Sequence, residues 1–126
     1  MASTTYKNVI VEKDDGLTWV TLNRPDKRNA FDDVIIQQLI TALESVDADD
    51  NTNIVILRSE GKHFSAGADL GWMRRMADYS FEQNVEDAAR LGTLLATINT
   101  CPKPTMALVH GNAFGGGVGL SACCDI

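Results

Sequence analysis

Two glycine-bearing segments stand out as places where the backbone itself could do chemistry. Residues 111–120 read GNAFGGGVGL and residues 65–70 read SAGADL. Glycine lacks Cβ and loses much conformational freedom when ordered, so three in a row predict that another group approaches the backbone closely. A flexible surface turn is the alternative interpretation of the glycine run. In the second segment, the small side chains would let a ligand touch peptide groups.

Each segment follows a predicted strand. Residues 53–58 (NIVILR) form an almost continuous apolar run, typical of a buried parallel strand, and residues 105–109 (TMALV) form another. Between them a Ser-x-x-Gln capping box at Ser80 predicts the start of a helix that ends before Pro102. A strand-helix-strand unit places both carboxyl ends, and so both glycine loops, on one edge of the sheet. Two such loops could each aim one peptide N–H at a single oxygen, as an oxyanion hole does.

The other predicted elements make the chain an α/β protein. Asp14-Asp15-Gly16 between two β-branched runs predicts a hairpin, and a helix is predicted over residues 32–46. Residues 71–79 are predicted to form only a short turn. A further helix is expected over residues 118–123, and residues 125–126 are expected to begin another element.

Composition bounds the function. The 126 residues are 44% apolar with a net charge of −6, which predicts one globular domain and gives no support to a nucleic-acid surface. No apolar run is long enough for a membrane span, and no signal peptide is visible, so a cytoplasmic protein is expected. Three cysteines without Cys-x-x-Cys spacing predict reduced, buried thiols. His63 and His110 lack metal-ligand partners at suitable spacing, so no metal site is predicted.

Four ordered motifs then show a family resemblance that covers essentially the whole chain. They are Asn23-Arg24-Pro25 with Asn29-Ala30-Phe31, then FSAGADL at 64–70, HGNAFGGG at 110–117, and Cys124-Asp125. This pattern resembles the crotonase (enoyl-CoA hydratase/isomerase) family. Within that family, DLGWM at 69–73 and GLSACCD at 119–125 resemble bacterial methylglutaconyl-CoA hydratases of leucine and terpenoid degradation.

The resemblance implies a crotonase-type α/β fold of stacked ββα turns, in which residues 1–126 are the N-terminal part of one spiral domain and the C-terminal part is absent from this chain. It implies an acyl-CoA substrate, no cofactor other than the coenzyme A carried by that substrate, and a homotrimer or hexamer when the protein is complete. From the charge and the hydropathy, no nucleic-acid or membrane partner is expected.

The resemblance also implies a set of site residues. In the family, two backbone N–H groups stabilise an enolate at the thioester oxygen, and here they map to Ala68 and Gly116. Lys27 and Arg28 are expected to meet the phosphates of coenzyme A. The remaining residues assigned to the substrate are Ala30, Ala66, Gly67, Asp69, Leu70, Gly71 and Gly115. For Asp69, capping of the following helical turn is the competing role.

One departure limits the expected reaction. Many family hydratases carry a catalytic Glu two positions after the triple glycine, where this sequence has Gly119, and a second family Glu lies on a loop beyond Ile126. Adding water to an enoyl thioester needs a positioned acid or base. The 126 residues alone are therefore predicted not to catalyse hydration, and isomerisation or thioester hydrolysis stay open as alternatives.

Two hypotheses from other classes remain. Residues 117–122 (GVGLSA) fit the Gly-x-Gly-x-x-Ala pattern of a dinucleotide-binding turn, although seven residues separate them from the preceding strand. That hypothesis predicts NAD binding and no affinity for coenzyme A. A non-catalytic scaffold derived from the crotonase fold is the other, and it is favoured by Gly119 and the missing carboxylates.

Overall fold

The computed structural model describes residues 2–126 and contains one five-stranded mixed sheet. Strands β1, β2 and β3 pair antiparallel, whereas β3, β4 and β5 pair parallel, in the spatial order β1-β2-β3-β4-β5. The bounds are Ala2–Thr5 (β1), Val9–Asp14 (β2), Leu17–Leu22 (β3), Ile54–Ser59 (β4) and Thr105–Ala107 (β5). The helices are Asp33–Asp47 (α1), Leu70–Ala77 (α2), Phe81–Asn99 (α3) and Gly116–Ala122 (α4), with a 3-10 turn at Pro25–Lys27.

The predicted hairpin is present between β2 and β3. Asp15 and Gly16 both have positive φ, 49° and 83°, as a tight two-residue turn between twisted strands requires. Strand β1 was not predicted, because its four residues are all exposed and carry no hydrophobic pattern. It forms by pairing with β2, from Ala2 opposite Lys13 to Thr5 opposite Ile10.

Helix α1 supplies the centre of the core. Asp32 caps its start by accepting a hydrogen bond from the backbone N–H of Ile35 at 3.0 Å. One face of α1 is buried against β2 and β3, and α3 packs on the same helix. The buried side chains of α1 are Ile35, Ile36, Leu39, Ile40, Ala42, Leu43 and Val46.

The prediction was correct for helix α3 and wrong for helix α2. The capping box at Ser80 and Gln83 is formed, and α3 begins at Phe81 as predicted. The short turn predicted for residues 71–79 is wrong, since α2 is a helix of eight residues. Its first turn is stabilised by Asp69, whose side chain accepts from the N–H of Trp72.

Strand β5 is shorter than predicted and has a neighbour on its outer side. It ends at Ala107 rather than Val109. Ile126 donates its N–H to the carbonyl of Thr105 at 3.1 Å and accepts from the N–H of Ala107 at 2.8 Å. Residues 125–126 therefore pair with β5, in agreement with the expectation that another element begins there. None of the helices within residues 2–126 is long and apolar enough to cross a membrane.

Candidate functional site

The two glycine loops lie in direct contact. Ser65 and Ala113 form an isolated parallel bridge, and the N–H of Phe114 donates to the carbonyl of Ser65 at 3.0 Å. A Cβ placed on Gly67 would lie 2.8 Å from the carbonyl oxygen of Phe114 and 3.6 Å from the Cα of Gly115. The predicted juxtaposition of the loops at one edge of the sheet is thus present.

The groups that approach these glycines most closely belong to the protein itself. A Cβ on Gly111 would overlap the carbonyl oxygen of Lys62, and a Cβ on Gly116 would overlap the ring of Phe31. On Gly117 it would lie 2.9 Å from the Cβ of Ser65. The segment lies largely at the surface, but these close contacts show that its glycines let the two loops close on each other. Approach of a thioester to the same backbone stays a prediction.

The N–H of Ala68 is oriented by its neighbours. The carbonyl of Gly67 accepts from the N–H of Phe31 at 2.9 Å, and the N–H of Asp69 donates to the carbonyl of Phe31 at 2.9 Å. In a trans peptide the C=O and N–H point in opposite directions, so the N–H of Ala68 faces away from Phe31. No acceptor within residues 2–126 takes that hydrogen.

The N–H of Gly116 is also free. The carbonyl of Gly115 accepts from the N–H of Val118 at 3.1 Å, which fixes the peptide plane and turns the N–H of Gly116 away from the helix. Gly115 has φ 51° and ψ −123°, a conformation that essentially only glycine adopts. The N–H groups of Ala68 and Gly116 thus both lack an acceptor among the described residues, as do other amides of these loops such as those of Lys62 and Ala113.

A buried asparagine holds the first loop in place. Asn29 is 2% exposed with φ 55°, and its side-chain nitrogen donates to the carbonyls of Glu60 and His63 at 2.7 and 2.9 Å. Its backbone carbonyl accepts from the hydroxyl of Ser65, which in turn accepts from the N–H of Gly67 at 3.1 Å. Sequence reasoning used Asn29 only as part of a motif, and no local pattern reveals these contacts.

Asp69 occupies a structural position. One carboxylate oxygen accepts from the N–H of Trp72 at 2.9 Å, and the other accepts from Arg24 at 3.2 Å. These bonds, that from Trp72 above all, and the charge of Arg24 outweigh partial burial and hold the pKa of Asp69 below its usual range. The carboxylate is therefore ionised and engaged as a helix cap, so the geometry favours capping over proton transfer.

The other predicted substrate residues differ in their exposure and in their hydrogen bonds. Lys27 and Arg28 are exposed, and Arg28 lines a groove of about 460 Å³ together with Glu60 and Lys62. Ala30 is buried, and its carbonyl accepts from Arg24 at 3.0 Å. The remaining ones are Ala66, whose N–H donates to the carbonyl of Arg28, and Leu70 and Gly71, both exposed in the first turn of α2.

Two residues with titratable side chains, His110 and Asp125, are engaged in hydrogen bonds, whereas Nδ1 of His63 is buried with no partner among the described residues. His110 bonds the carbonyl of Gly61 at 2.6 Å through Nε2. Asp125 accepts from the backbone N–H and the hydroxyl of Thr105, at the opposite end of β5 from the glycine loop. At Gly119 a Cβ would only touch the side chain of Leu95, at 3.5 Å. In the part of the chain that is described, no three His, Cys, Asp or Glu side chains are grouped as a metal site requires.

Comparison with known proteins gives a consistent family match. The model of the enoyl-CoA hydratase/isomerase family matches residues 12–126. The dienoyl-CoA isomerase of mouse mitochondria, Delta(3,5)-Delta(2,4)-dienoyl-CoA isomerase, is 35% identical over 118 residues, which cover 85% of this chain and 35% of the isomerase. Hydroxycinnamoyl-CoA hydratase-lyase of Pseudomonas fluorescens is 34% identical over 123 residues, covering 96% of this chain and 45% of that enzyme.

Solved structures agree with the sequence matches. The crystal structure of an enoyl-CoA hydratase from Shewanella pealeana superposes with a TM-score of 0.93 at 44% identity and covers 94% of this chain and 45% of that one. The chain therefore spans less than half the length of these relatives.

Proposed function

Because the chain belongs to the enoyl-CoA hydratase/isomerase family, we propose that the protein acts on acyl-CoA thioesters and stabilises a thioester enolate with the backbone N–H groups of Ala68 and Gly116. One observation carries this proposal. Both N–H groups lack acceptors among residues 2–126, and the loops that hold them are in backbone contact. Each donor aimed at a developing oxyanion is worth roughly 3 kcal/mol of transition-state stabilisation.

We propose hydration of an enoyl-CoA as the reaction, with methylglutaconyl-CoA as the first substrate to test. The segments at 69–73 and 119–125 support this choice. Three positions near the loops offer no free acid or base, since Gly119 has no side chain, Asp69 caps α2 and Asp125 bonds Thr105. Residues 1–126 alone are accordingly expected to exchange the acyl α-proton slowly without adding water.

Isomerisation is the second candidate, and the mouse dienoyl-CoA isomerase favours it. Enolate stabilisation serves both reactions, because each passes through negative charge on the thioester oxygen. Thioester hydrolysis is a third outcome.

The dinucleotide-binding alternative is disfavoured, because Gly117 packs against Ser65 of the neighbouring loop and leaves no free space for a pyrophosphate. For the full-length protein we propose a homotrimer or hexamer, which sedimentation would test.

The donor assignment is tested by NMR on the full-length protein labelled with ¹⁵N at alanine and glycine. Acetoacetyl-CoA should move the amide proton signals of Ala68 and Gly116 downfield, since both gain a hydrogen bond. Ala66 and Gly117 are matched controls, because their N–H groups already donate to the carbonyls of Arg28 and Phe114. Coenzyme A without an acyl group should leave Ala68 and Gly116 nearly unmoved. Binding without any shift at those two amides contradicts the assignment.

The reaction is tested separately with the same protein. Loss of the conjugated thioester absorbance of methylglutaconyl-CoA with formation of a hydroxyacyl-CoA, heavier than the substrate by one water, would establish hydration. A shifted double bond in a dienoyl-CoA would establish isomerisation, and release of free coenzyme A would establish thioester hydrolysis. Binding of NAD without affinity for coenzyme A would support the dinucleotide-binding module. Binding of acyl-CoA with no turnover of any enoyl thioester would leave the scaffold hypothesis.

A further inference from the structure

A third segment lies between the two loops and contacts both. Phe31 is 1% exposed and belongs to neither glycine loop. Its backbone is paired with residue 68 in a short parallel bridge, donating to the carbonyl of Gly67 and accepting from Asp69. The bond to Gly67 fixes the plane of the peptide whose N–H belongs to Ala68. The backbone of Phe31 thereby orients the first proposed donor.

The side chain of the same residue reaches the second donor. A Cβ on Gly116 would overlap Cζ of Phe31 and lie 3.1 and 3.2 Å from its two Cε atoms. Gly116 is helical, and its φ is not among the positive values of the chain, so the backbone itself accepts a side chain there. The Phe31 ring is therefore the nearest obstacle to a methyl group at this position. The ring thus lies against the start of α4.

We propose that Phe31 is a positioning residue that fixes the two oxyanion donors relative to each other, with its backbone holding Ala68 and its ring holding Gly116. This inference rests on the proposed function. Donors must be placed to within a fraction of an ångström to stabilise an oxyanion, and an error of about 1 Å can cost 100-fold in rate. A single buried residue in contact with both loops couples the positions of the two donors.

A double-mutant cycle in the full-length protein tests the proposal. Leucine lacks the Cζ and both Cε atoms, so Phe31→Leu removes the three atoms that a methyl group at position 116 would meet. Gly116→Ala alone should lower kcat for enoyl-CoA turnover at least about 100-fold, and Phe31→Leu alone about tenfold. Adding Phe31→Leu to Gly116→Ala should raise kcat by about tenfold or more, as relief of the overlap requires.

The controls separate positioning from general packing. Leu39→Ala removes an equally buried side chain from α1 and should lower the melting temperature without changing kcat at 25 °C. The dissociation constant for free coenzyme A should stay within about twofold in Phe31→Leu, because only the thioester oxygen meets the donors. Should Gly116→Ala fail to fold, a lowered kcat with unchanged coenzyme A affinity in Phe31→Leu, absent in Leu39→Ala, supports the proposal by itself.

Several results would overturn it. If the parent protein is active and Gly116→Ala folds, a double variant whose kcat is no higher than that of Gly116→Ala would show that the two residues are not coupled. An equal loss of kcat in Phe31→Leu and in Leu39→Ala would show that the effect of Phe31 is general packing. A parent protein that binds acyl-CoA but turns over no enoyl thioester removes the proposed function and this inference with it, and that outcome is recognised before any variant is made.

Discussion

The two ends of the parallel part of the sheet are built in different ways. At the carboxyl ends of β4 and β5 the loops touch backbone to backbone, and Gly111, Gly116 and Gly117 lack room for one added carbon. At the opposite end, backbone bonds such as that from the N–H of Asn53 to the carbonyl of Gly16 are accompanied by side-chain contacts. Thr18 and Thr52 share a buried hydrogen bond of 2.7 Å, and Lys13 forms an ion pair with Asp49.

The difference teaches where this fold tolerates change. A side chain can rotate or exchange a lost partner for water, whereas a peptide group pressed against another can only move with its chain. The loop end should therefore respond steeply to small substitutions, and the opposite end gradually.

The largest effect is expected from Gly111→Ala, which would break the loop end directly. The added methyl overlaps the carbonyl of Lys62, and φ at Gly111 is 63°. Overpacking and left-handed strain together should cost about 3 kcal/mol or more of unfolding free energy, measured by urea titration. Gly92→Ala is the matched control, because no atom lies within 4 Å of its Cβ position, and it should stabilise α3 by up to about 1 kcal/mol. Equal changes of unfolding free energy in Gly111→Ala and Gly92→Ala would show that the close packing at Gly111 is unimportant for stability.

Next comes a comparison of buried polar groups at the two ends. Asn29→Ala removes bonds to Glu60 and His63 and places alanine at φ 55°, so we expect a loss of about 3 kcal/mol. Thr18→Val removes one buried hydroxyl whose partner Thr52 still bonds Asp49, and should cost about 1 kcal/mol. Urea denaturation of the two variants measures the difference in their unfolding free energies. A larger loss of unfolding free energy in Thr18→Val than in Asn29→Ala would contradict the comparison.

A smaller effect concerns ligand binding at the loop end. Replacing Lys27 and Arg28 with Ala should weaken acyl-CoA binding about three- to tenfold at low ionic strength, because both side chains are exposed and interact through screened charge. Calorimetry at two salt concentrations measures this, and the difference from the parent should shrink at high salt. An unchanged dissociation constant at low salt excludes the phosphate role.

The smallest effect lies at the opposite end and depends on pH. Lys13 lies 2.8 Å from Asp49 and, with bonds from Asn51 and Thr52, lowers the pKa of Asp49 to about 2. Because the folded pKa is below the unfolded value, this contribution is complete above about pH 4 and is lost as pH falls toward 2. Lys13→Met should reduce that acid sensitivity and shift the melting temperature by only about 1–3 °C. If Lys13→Met lowered the stability at neutral pH as much as Gly111→Ala does, the proposed difference between the two ends of the sheet would be contradicted.

Sequence patterns predicted the elements whose signals are local. The hairpin at Asp15-Gly16, the helical spacing of apolar residues in α1 and the capping box at Ser80 each depend on residues close together in the sequence. Strand β1 and helix α2 escaped prediction. The first depends on pairing with β2, and the second on a single cap at Asp69.

The site shows the same division. The meeting of the loops follows from parallel strands and was predicted, and the N–H groups assigned to Ala68 and Gly116 came from a family resemblance. Neither source revealed that the glycines face Phe31, Ser65 and Lys62, because a residue that lacks a side chain carries no sign of which neighbour requires the space. The contacts of Asn29 were hidden for a similar reason, since its partners are carbonyls more than thirty positions away.

Position 119 differs from the neighbouring glycine positions 116 and 117 in the space available for a side chain, and this affects which mutations it can accept. A first side-chain carbon there would meet only Leu95, at ordinary van der Waals distance, so packing does not require glycine. Half of the glycine codons become glutamate codons by a single base change. From those codons a single base change would place a carboxylate at position 119 without the overlap that a side chain meets at Gly111, Gly116 and Gly117.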